Sequence, residues 1–125
     1  MLTKEHPNLE TNTIIHGNCI ERFKDIESNQ IDLVYFDPPF FTQKKHSLSS
    51  RDNTKTYEFE DKYNSLEDYL TLIEQALLES KRVLKKSGSV FLHCDKTASH
   101  YIRTILDKVF GKENFQSEIV WSYKR

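Results

Sequence analysis

The chain has 125 residues, of which 37% are hydrophobic and 30% charged, and its net charge is −1. That length suits one domain with a modest core, and the balance is that of a folded, soluble chain rather than a disordered one. A charge so close to zero excludes a global basic field, so any nucleic-acid contact must come from local patches, and no apolar run approaches a membrane span.

The opening ten residues are polar and charged and carry no secretory leader pattern, so residues 1–12 are expected to be a loose lead-in. Cys19 and Cys94 have no metal-type spacing, and the sequence offers no metal site. Two buried free thiols in a reducing cytoplasm are the expectation. Thr13–His16 reads as a short strand and Gly17-Asn18 as a turn. Asn18 is placed to cap a helix running to about Ile26, with Cys19, Ile20, Phe23 and Ile26 on one face.

Ile31-Asp32-Leu33-Val34-Tyr35-Phe36 is apolar, β-branched or aromatic at all but one position. It reads as a strand buried on both faces, as inside a parallel sheet. Asp37-Pro38-Pro39-Phe40 follows without a spacer. Proline fixes φ and lacks an N–H, so the strand must end there, and Asp37 and Pro38 are each held extended by the proline that follows. The product is a stiff tip at the carboxyl end of a strand, where open α/β sheets bind ligands. An ionised Asp37 only accepts hydrogen bonds, and the Pro38 carbonyl is a second acceptor nearby. Two acceptors beside the flat face of Phe40 suit a planar ring with an exocyclic NH₂, such as adenine or cytosine.

Residues 41–64 show no clear period and read as a long loop. Lys44, Lys45 and Arg51 lie in its first part, with Lys55, against the single acid Asp52. A mobile basic lid over a phosphate backbone and an ordinary solvated loop weigh about evenly. His46, in the same stretch, reads as a surface residue. Ser65 caps a long helix whose first turn holds Glu67 and Asp68. Leu66, Tyr69, Leu70, Ile73, Leu77 and Leu84 recur at helical spacing, and Gly88 is the expected stop. The basic cluster Lys81, Arg82, Lys85 and Lys86 is explained by the helix dipole. Ser89–Cys94 reads as a second buried strand with His93-Cys94-Asp95 at its carboxyl end, on the rim of Asp37 if the strands are parallel. Asp95 reads as a cap for a helix from about Thr97 to Phe110, with Ala98, Tyr101, Ile102, Ile105, Leu106 and Val109 as its buried stripe and Gly111 as its end. For His93 a structural hydrogen bond outweighs acid–base work, while its place on the rim keeps a site role open. Glu118–Tyr123 is a further strand candidate. Strand–helix–strand–helix–strand argues for an α/β fold with a mostly parallel sheet.

Asp37-Pro38-Pro39-Phe40 resembles the (Asp/Asn)-Pro-Pro-aromatic motif of amino-directed DNA methyltransferases, which methylate adenine or cytosine on the exocyclic nitrogen. Phe91-Leu92-His93-Cys94-Asp95, His100-Tyr101, Leu106-Asp107, Phe110-Gly111, Asn114-Phe115 and Glu118-Ile119-Val120-Trp121 follow in the order of the class that places this motif early. The likeness covers roughly residues 13–125. It implies an α/β, partial Rossmann-like S-adenosylmethionine-dependent methyltransferase fold, a mostly parallel sheet with flanking helices. Residues 13–125 would be the amino-terminal part of an incomplete catalytic domain. Asp37, Pro38, Pro39 and Phe40 would form the catalytic motif, with Asp37 also near the cofactor and Lys44, Lys45 and Arg51 as DNA contacts. Related enzymes often carry an acid where Asn18 stands. They bind S-adenosylmethionine through a Phe-x-Gly-x-Gly-like segment near the carboxyl end, and Gly17, Gly88 and Gly111 cannot supply one.

The expected function is thus transfer of methyl from S-adenosylmethionine to a flipped base in double-stranded DNA, adenine being favoured by the family at large, within a restriction-modification system in the cytoplasm. The chain alone is expected to be inactive, completed by a carboxyl-terminal half or a restriction subunit, with a homodimer left open. The alternative is a non-enzymatic DNA- or partner-binding module that keeps the fold.

Overall fold

The computed structural model describes residues 11–41, 45–60 and 63–124, with the backbone alone at 45, 46, 48 and 57–60. In chain order these form α1 (Cys19–Phe23), β1 (Ile31–Phe36), β2 (Lys45–Ser49), β3 (Thr56–Glu60), α2 (Leu66–Val83), β4 (Leu84–Leu92) and α3 (Ser99–Phe110), followed by a 3-10 turn at Lys112–Asn114. β1 and β4 pair in parallel, while β2 and β3 form a separate antiparallel hairpin. The small parallel sheet beside helices is compatible with part of a methyltransferase fold.

α2 organises the core. Ser65 caps it, its Oγ accepting from the Asp68 amide at 3.0 Å, and Glu67 and Asp68 stand in the first turn where the helix dipole favours acids. Its stripe of Tyr69, Ile73, Ala76, Leu77, Ser80 and Val83 is buried, and the core forms where Tyr69, Ile73 and Leu77 meet Ala98, Ile102 and Val109 of the α3 region. Phe36, Val90 and Leu92 pack against the same cluster from the sheet.

Several boundaries differ from the sequence expectation. α2 stops at Val83 rather than at Gly88, and Lys85 and Lys86 lie in β4. Ile31 pairs with Leu84 but Leu33 with Ser89, so β4 absorbs extra residues opposite Asp32. Gly88 serves that irregularity: a Cβ there would stand 2.8 Å from Leu84 Cδ2 and 3.2 Å from the Asp32 carbonyl oxygen. Lys85 Nζ reaches Asp32 Oδ1 at 2.8 Å across the strands.

The rest of the basic cluster serves other helices. Lys81 Nζ donates to the Val109 carbonyl at 2.7 Å, satisfying the end of α3. Arg82 donates to the carbonyls of Phe23 at 2.7 Å and Ile26 at 2.9 Å, while Glu79 holds the guanidinium. α1 ends at Phe23, short of Ile26, and Asn18 caps it, Oδ1 accepting from the Ile20 amide at 2.9 Å.

Thr13–His16 and Glu118–Tyr123 are not strands, because no neighbouring strand among the described residues offers them a ladder. Their apolar side chains lie in solvent, Trp121 at 81% exposure. Residues 45–60 fold as a hairpin, not a structureless loop. The turn chemistry supplies the reason. Asn53 takes a positive φ of 56°. Asp52 Oδ1 accepts from Ser50 Oγ at 2.5 Å, Thr54 Oγ1 at 2.8 Å and the Thr54 amide at 3.2 Å. α3 begins at Ser99, and its capping position is Ala98 with no side-chain cap, so Asp95 does not cap it. Tyr101 lies on the solvent side of α3, outside the expected stripe. Cys19 is exposed and Cys94 half-buried, against the expectation of two buried thiols.

Replacing the fully buried Ile73 by alanine is expected to lower stability by about 3 kcal/mol, measured by urea unfolding. The three donors on Asp52, the Ser50 hydroxyl foremost, lower its pKa from 3.8 to about 2. A lowered folded pKa means that the turn is supported above pH 4 and loses that support as pH falls toward 2. Carboxyl titration by NMR should place the Asp52 midpoint near 2, against 3.8 in a peptide spanning the turn.

Candidate functional site

Parallel pairing brings the carboxyl ends of β1 and β4 to the same rim, as the sequence reading required. The register runs Val34–Val90, Tyr35–Phe91 and Phe36–Leu92, and the ladder continues one step further because the His93 amide donates to the Phe36 carbonyl at 2.9 Å. Asp37 and His93 are therefore neighbours across the strand ends. Side chains alternate along a strand. Phe36 and Leu92 turn toward the core, so Asp37 and His93 share the opposite face with Leu33, Tyr35 and Phe91. That face is open: Leu33, Tyr35 and Phe91 are exposed. β1 is thus buried on one face rather than both.

Asp37 does not turn into the interior; its side chain is 56% exposed. Its Oδ1 lies 3.6 Å from His93 Nδ1, within ion-pair reach but beyond a direct hydrogen bond. The same Nδ1 lies 3.2 Å from the Tyr35 hydroxyl. Phe40 meets the His93 ring edge to face, with centroids 5.4 Å apart. Pro38 is buried while Pro39 is exposed, so the first proline anchors the tip and the second carries the chain out along the rim. Phe41 turns the other way: its ring and that of Tyr63 both pack on Tyr69, at 5.3 and 4.8 Å between centroids. The two ends of the segment containing the hairpin are thereby fixed to the core.

The tip thus offers a carboxylate acceptor, an imidazole and a phenyl ring within one side chain's reach. Sequence reasoning singled out Asp37 and Phe40, preferred a structural hydrogen bond for His93 while its place on the rim left a site role open, and missed Tyr35. The signal was present: Tyr35 is two residues before Asp37 in a strand and must share its face. Of the basic residues, Lys44 lies outside the described residues, Lys45 opens β2, and Arg51 is exposed in the turn after Ser49. Along the backbone, Lys45 and Arg51 stand toward opposite ends of β2.

Residues 31–125 match the family described as DNA methylase. The chain belongs to that family. The match starts with the first residue of β1 and takes in both strands of the rim. Among its relatives, Type II methyltransferase M.HinfI of Haemophilus influenzae is 38% identical over 94 residues, which are 73% of this chain and 26% of the relative. DNA adenine methyltransferase YhdJ of Escherichia coli is 28% identical over 116 residues, 91% of this chain and 34% of that protein. A probable type III restriction-modification enzyme, the HindVI Mod subunit of Haemophilus influenzae, is 26% identical over 107 residues, 83% of this chain and 13% of the subunit. The chain therefore spans about a third or less of the length of these relatives.

A family of methyltransferases implies S-adenosylmethionine, and the glycines test whether the described residues fit it. A Cβ on Gly17 would meet the Arg22 side chain, on Gly88 Leu84 and Lys85 of its own strand and then the Asp32 carbonyl, and on Gly111 the Glu113 carboxylate. Each close approach is taken by the protein itself, so these residues form no glycine cradle for the cofactor. No helix among the described residues is long and apolar enough to cross a membrane.

Next to His93, burial and then the negative charges of Asp95 and Glu118 push the Cys94 thiol above its ordinary pKa. Iodoacetamide at pH 8 should therefore alkylate exposed Cys19 well before Cys94, as read by peptide mass spectrometry.

Proposed function

We propose that this chain is the base-gripping part of an S-adenosylmethionine-dependent DNA methyltransferase acting on an exocyclic amine, adenine foremost. The single observation that carries this reading is the exposed Asp37 carboxylate just past the end of β1, with Asp37 and Phe40 each approaching the same His93 ring. The naming of one relative as a DNA adenine methyltransferase supports adenine over cytosine. Restriction-modification relatives support a place in such a system, in the cytoplasm with its DNA and with a restriction subunit as partner.

In double-stranded DNA the amine is paired, so the base must first leave the stack. Phe40 then gives it a face, worth about 1–3 kcal/mol of stacking. Asp37 and the Pro38 carbonyl accept the two amine protons and so aim the nitrogen lone pair. An amine conjugated to its ring is a poor nucleophile, and two acceptors favour the positive charge that grows on nitrogen as it attacks. S-adenosylmethionine supplies the methyl group when bound. Asp37 would stand near it, and the glycines among the described residues add no cradle for it. Lys45 and Arg51 are the proposed backbone contacts of the hairpin, Lys44 joining them from outside the described residues.

Binding of a fluorescent single-stranded oligonucleotide with one adenine should exceed that of the same strand carrying purine, which lacks the amine. A hydrogen bond to a charged acceptor, about 1.5 kcal/mol, corresponds to roughly tenfold. Asp37→Ala should abolish the difference. Salt-sensitive binding unchanged in Asp37→Ala would instead indicate a binding module without base chemistry. Purified 1–125 with methyl-labelled S-adenosylmethionine should transfer no label to DNA until a polypeptide bearing the glycine-rich segment is added.

A further inference from the structure

We propose that His93, held by Tyr35, is the positioning residue of the candidate site: it fixes the Asp37 carboxylate relative to the face of Phe40. This rests on the amine-binding reading of Asp37 and adds to it residues that the four-residue motif does not contain.

The need for such a residue follows from Asp37 itself. It is the last residue before two prolines, so its backbone is fixed, but its side chain retains its staggered rotamers and is more than half exposed. A carboxylate free to rotate in water is a poor template for an amine, because each binding event must order it first. Among the described residues the ionisable group that meets Asp37 is His93, at 3.6 Å. That ring is itself held from two directions. The Tyr35 hydroxyl engages Nδ1 at 3.2 Å, and Phe40 packs against the ring at an interplanar angle of 61°. His93 therefore stands between the acceptor and the stacking surface and sets their spacing.

The backbone makes the arrangement robust. The His93 amide is bonded to the Phe36 carbonyl, so the imidazole cannot drift along the rim without breaking the ladder. Tyr35 lies two residues before Asp37 and is paired with Phe91, two residues before His93. The three polar groups thus occupy consecutive places on one sheet face. Nδ1 faces both the phenol and the carboxylate. With Nδ1 unprotonated, the Tyr35 hydroxyl donates to it; with Nδ1–H, the ring donates to the Tyr35 oxygen and turns the positive end of that N–H toward the carboxylate 3.6 Å away. The Tyr35 hydroxyl and the Phe40 ring hold the imidazole beside Asp37.

Oligonucleotide binding with the full 125-residue chain tests the proposal, using the adenine and purine strands. His93→Leu should reduce the adenine preference at least threefold. His93→Asn should retain most of it, because the Asn amide nitrogen can stand where Nδ1 stood. Tyr35→Phe should give a smaller loss of adenine preference, which a merely structural tyrosine would leave unchanged, and should move the ¹⁵N resonance of His93 Nδ1, which reports that the Tyr35 contact forms. Both side chains are exposed, so far-UV circular dichroism should show the fold unchanged; if His93→Leu unfolds, Tyr35→Phe and the nitrogen spectrum carry the test. An adenine preference of wild-type size in His93→Leu, or an Nδ1 resonance indifferent to Tyr35→Phe, overturns the positioning role while leaving the amine reading intact. Equal binding of the two strands by the wild-type chain removes the amine reading first, and this inference with it.

Discussion

Everything at the candidate site depends on the parallel pairing of β1 with β4. Because the strands run the same way, their carboxyl ends reach one rim, and residues more than fifty positions apart in sequence become neighbours. The bond from the His93 amide to the Phe36 carbonyl is the last rung, and it decides that His93 rather than Cys94 or Asp95 stands beside Asp37. A slip of one residue would turn the face over and bring the half-buried Cys94 alongside the carboxylate. The two core anchors of the rim, Phe36 and Leu92, hold that register by burial against the α2 and α3 cluster.

One-sided burial is the second constraint. α2 and α3 cover a single face of the two-stranded sheet, leaving Leu33, Tyr35 and Phe91 exposed on the other. The residues of that open row lead directly to Asp37 and His93, since all belong to the same alternation. The site is accessible because the face that carries it is not packed. The same exposure lets Tyr35 act as a hydroxyl partner to His93 instead of a core aromatic.

Much of this was legible in the residues. Asn18 and Ser65 are short polar side chains just ahead of apolar helical periods, and both cap their helices. Tyr69, Ile73 and Leu77 recur at the helical period and form the core. Asp37-Pro38-Pro39 has to end its strand because of proline stereochemistry, and it does. The misses share a cause: each concerned a position whose conformation is set by a partner distant in sequence. Gly88 reads locally as a helix stop, yet its lack of a Cβ serves an irregular strand packed on the Asp32 carbonyl. Lys81 and Arg82 read as dipole partners of their own helix, yet they satisfy carbonyls at the ends of α3 and α1. Tyr101 reads into the α3 stripe but lies on the solvent side of the helix. The hairpin was hidden because its strands are polar and its signal lies in the Asp52–Asn53 turn.

The sequence by itself determined the helix periods and caps, the strand that stops at Asp37, and the chemistry of an acceptor beside an aromatic ring, because these follow from spacing, proline geometry and side-chain type within a few residues. Only the tertiary structure decided which face of β1 is buried, which residue of the second strand meets Asp37, and that Tyr35 belongs with them. Those are matters of register and layer packing, and register between strands fifty residues apart is fixed by the summed burial of a core that no local stretch contains.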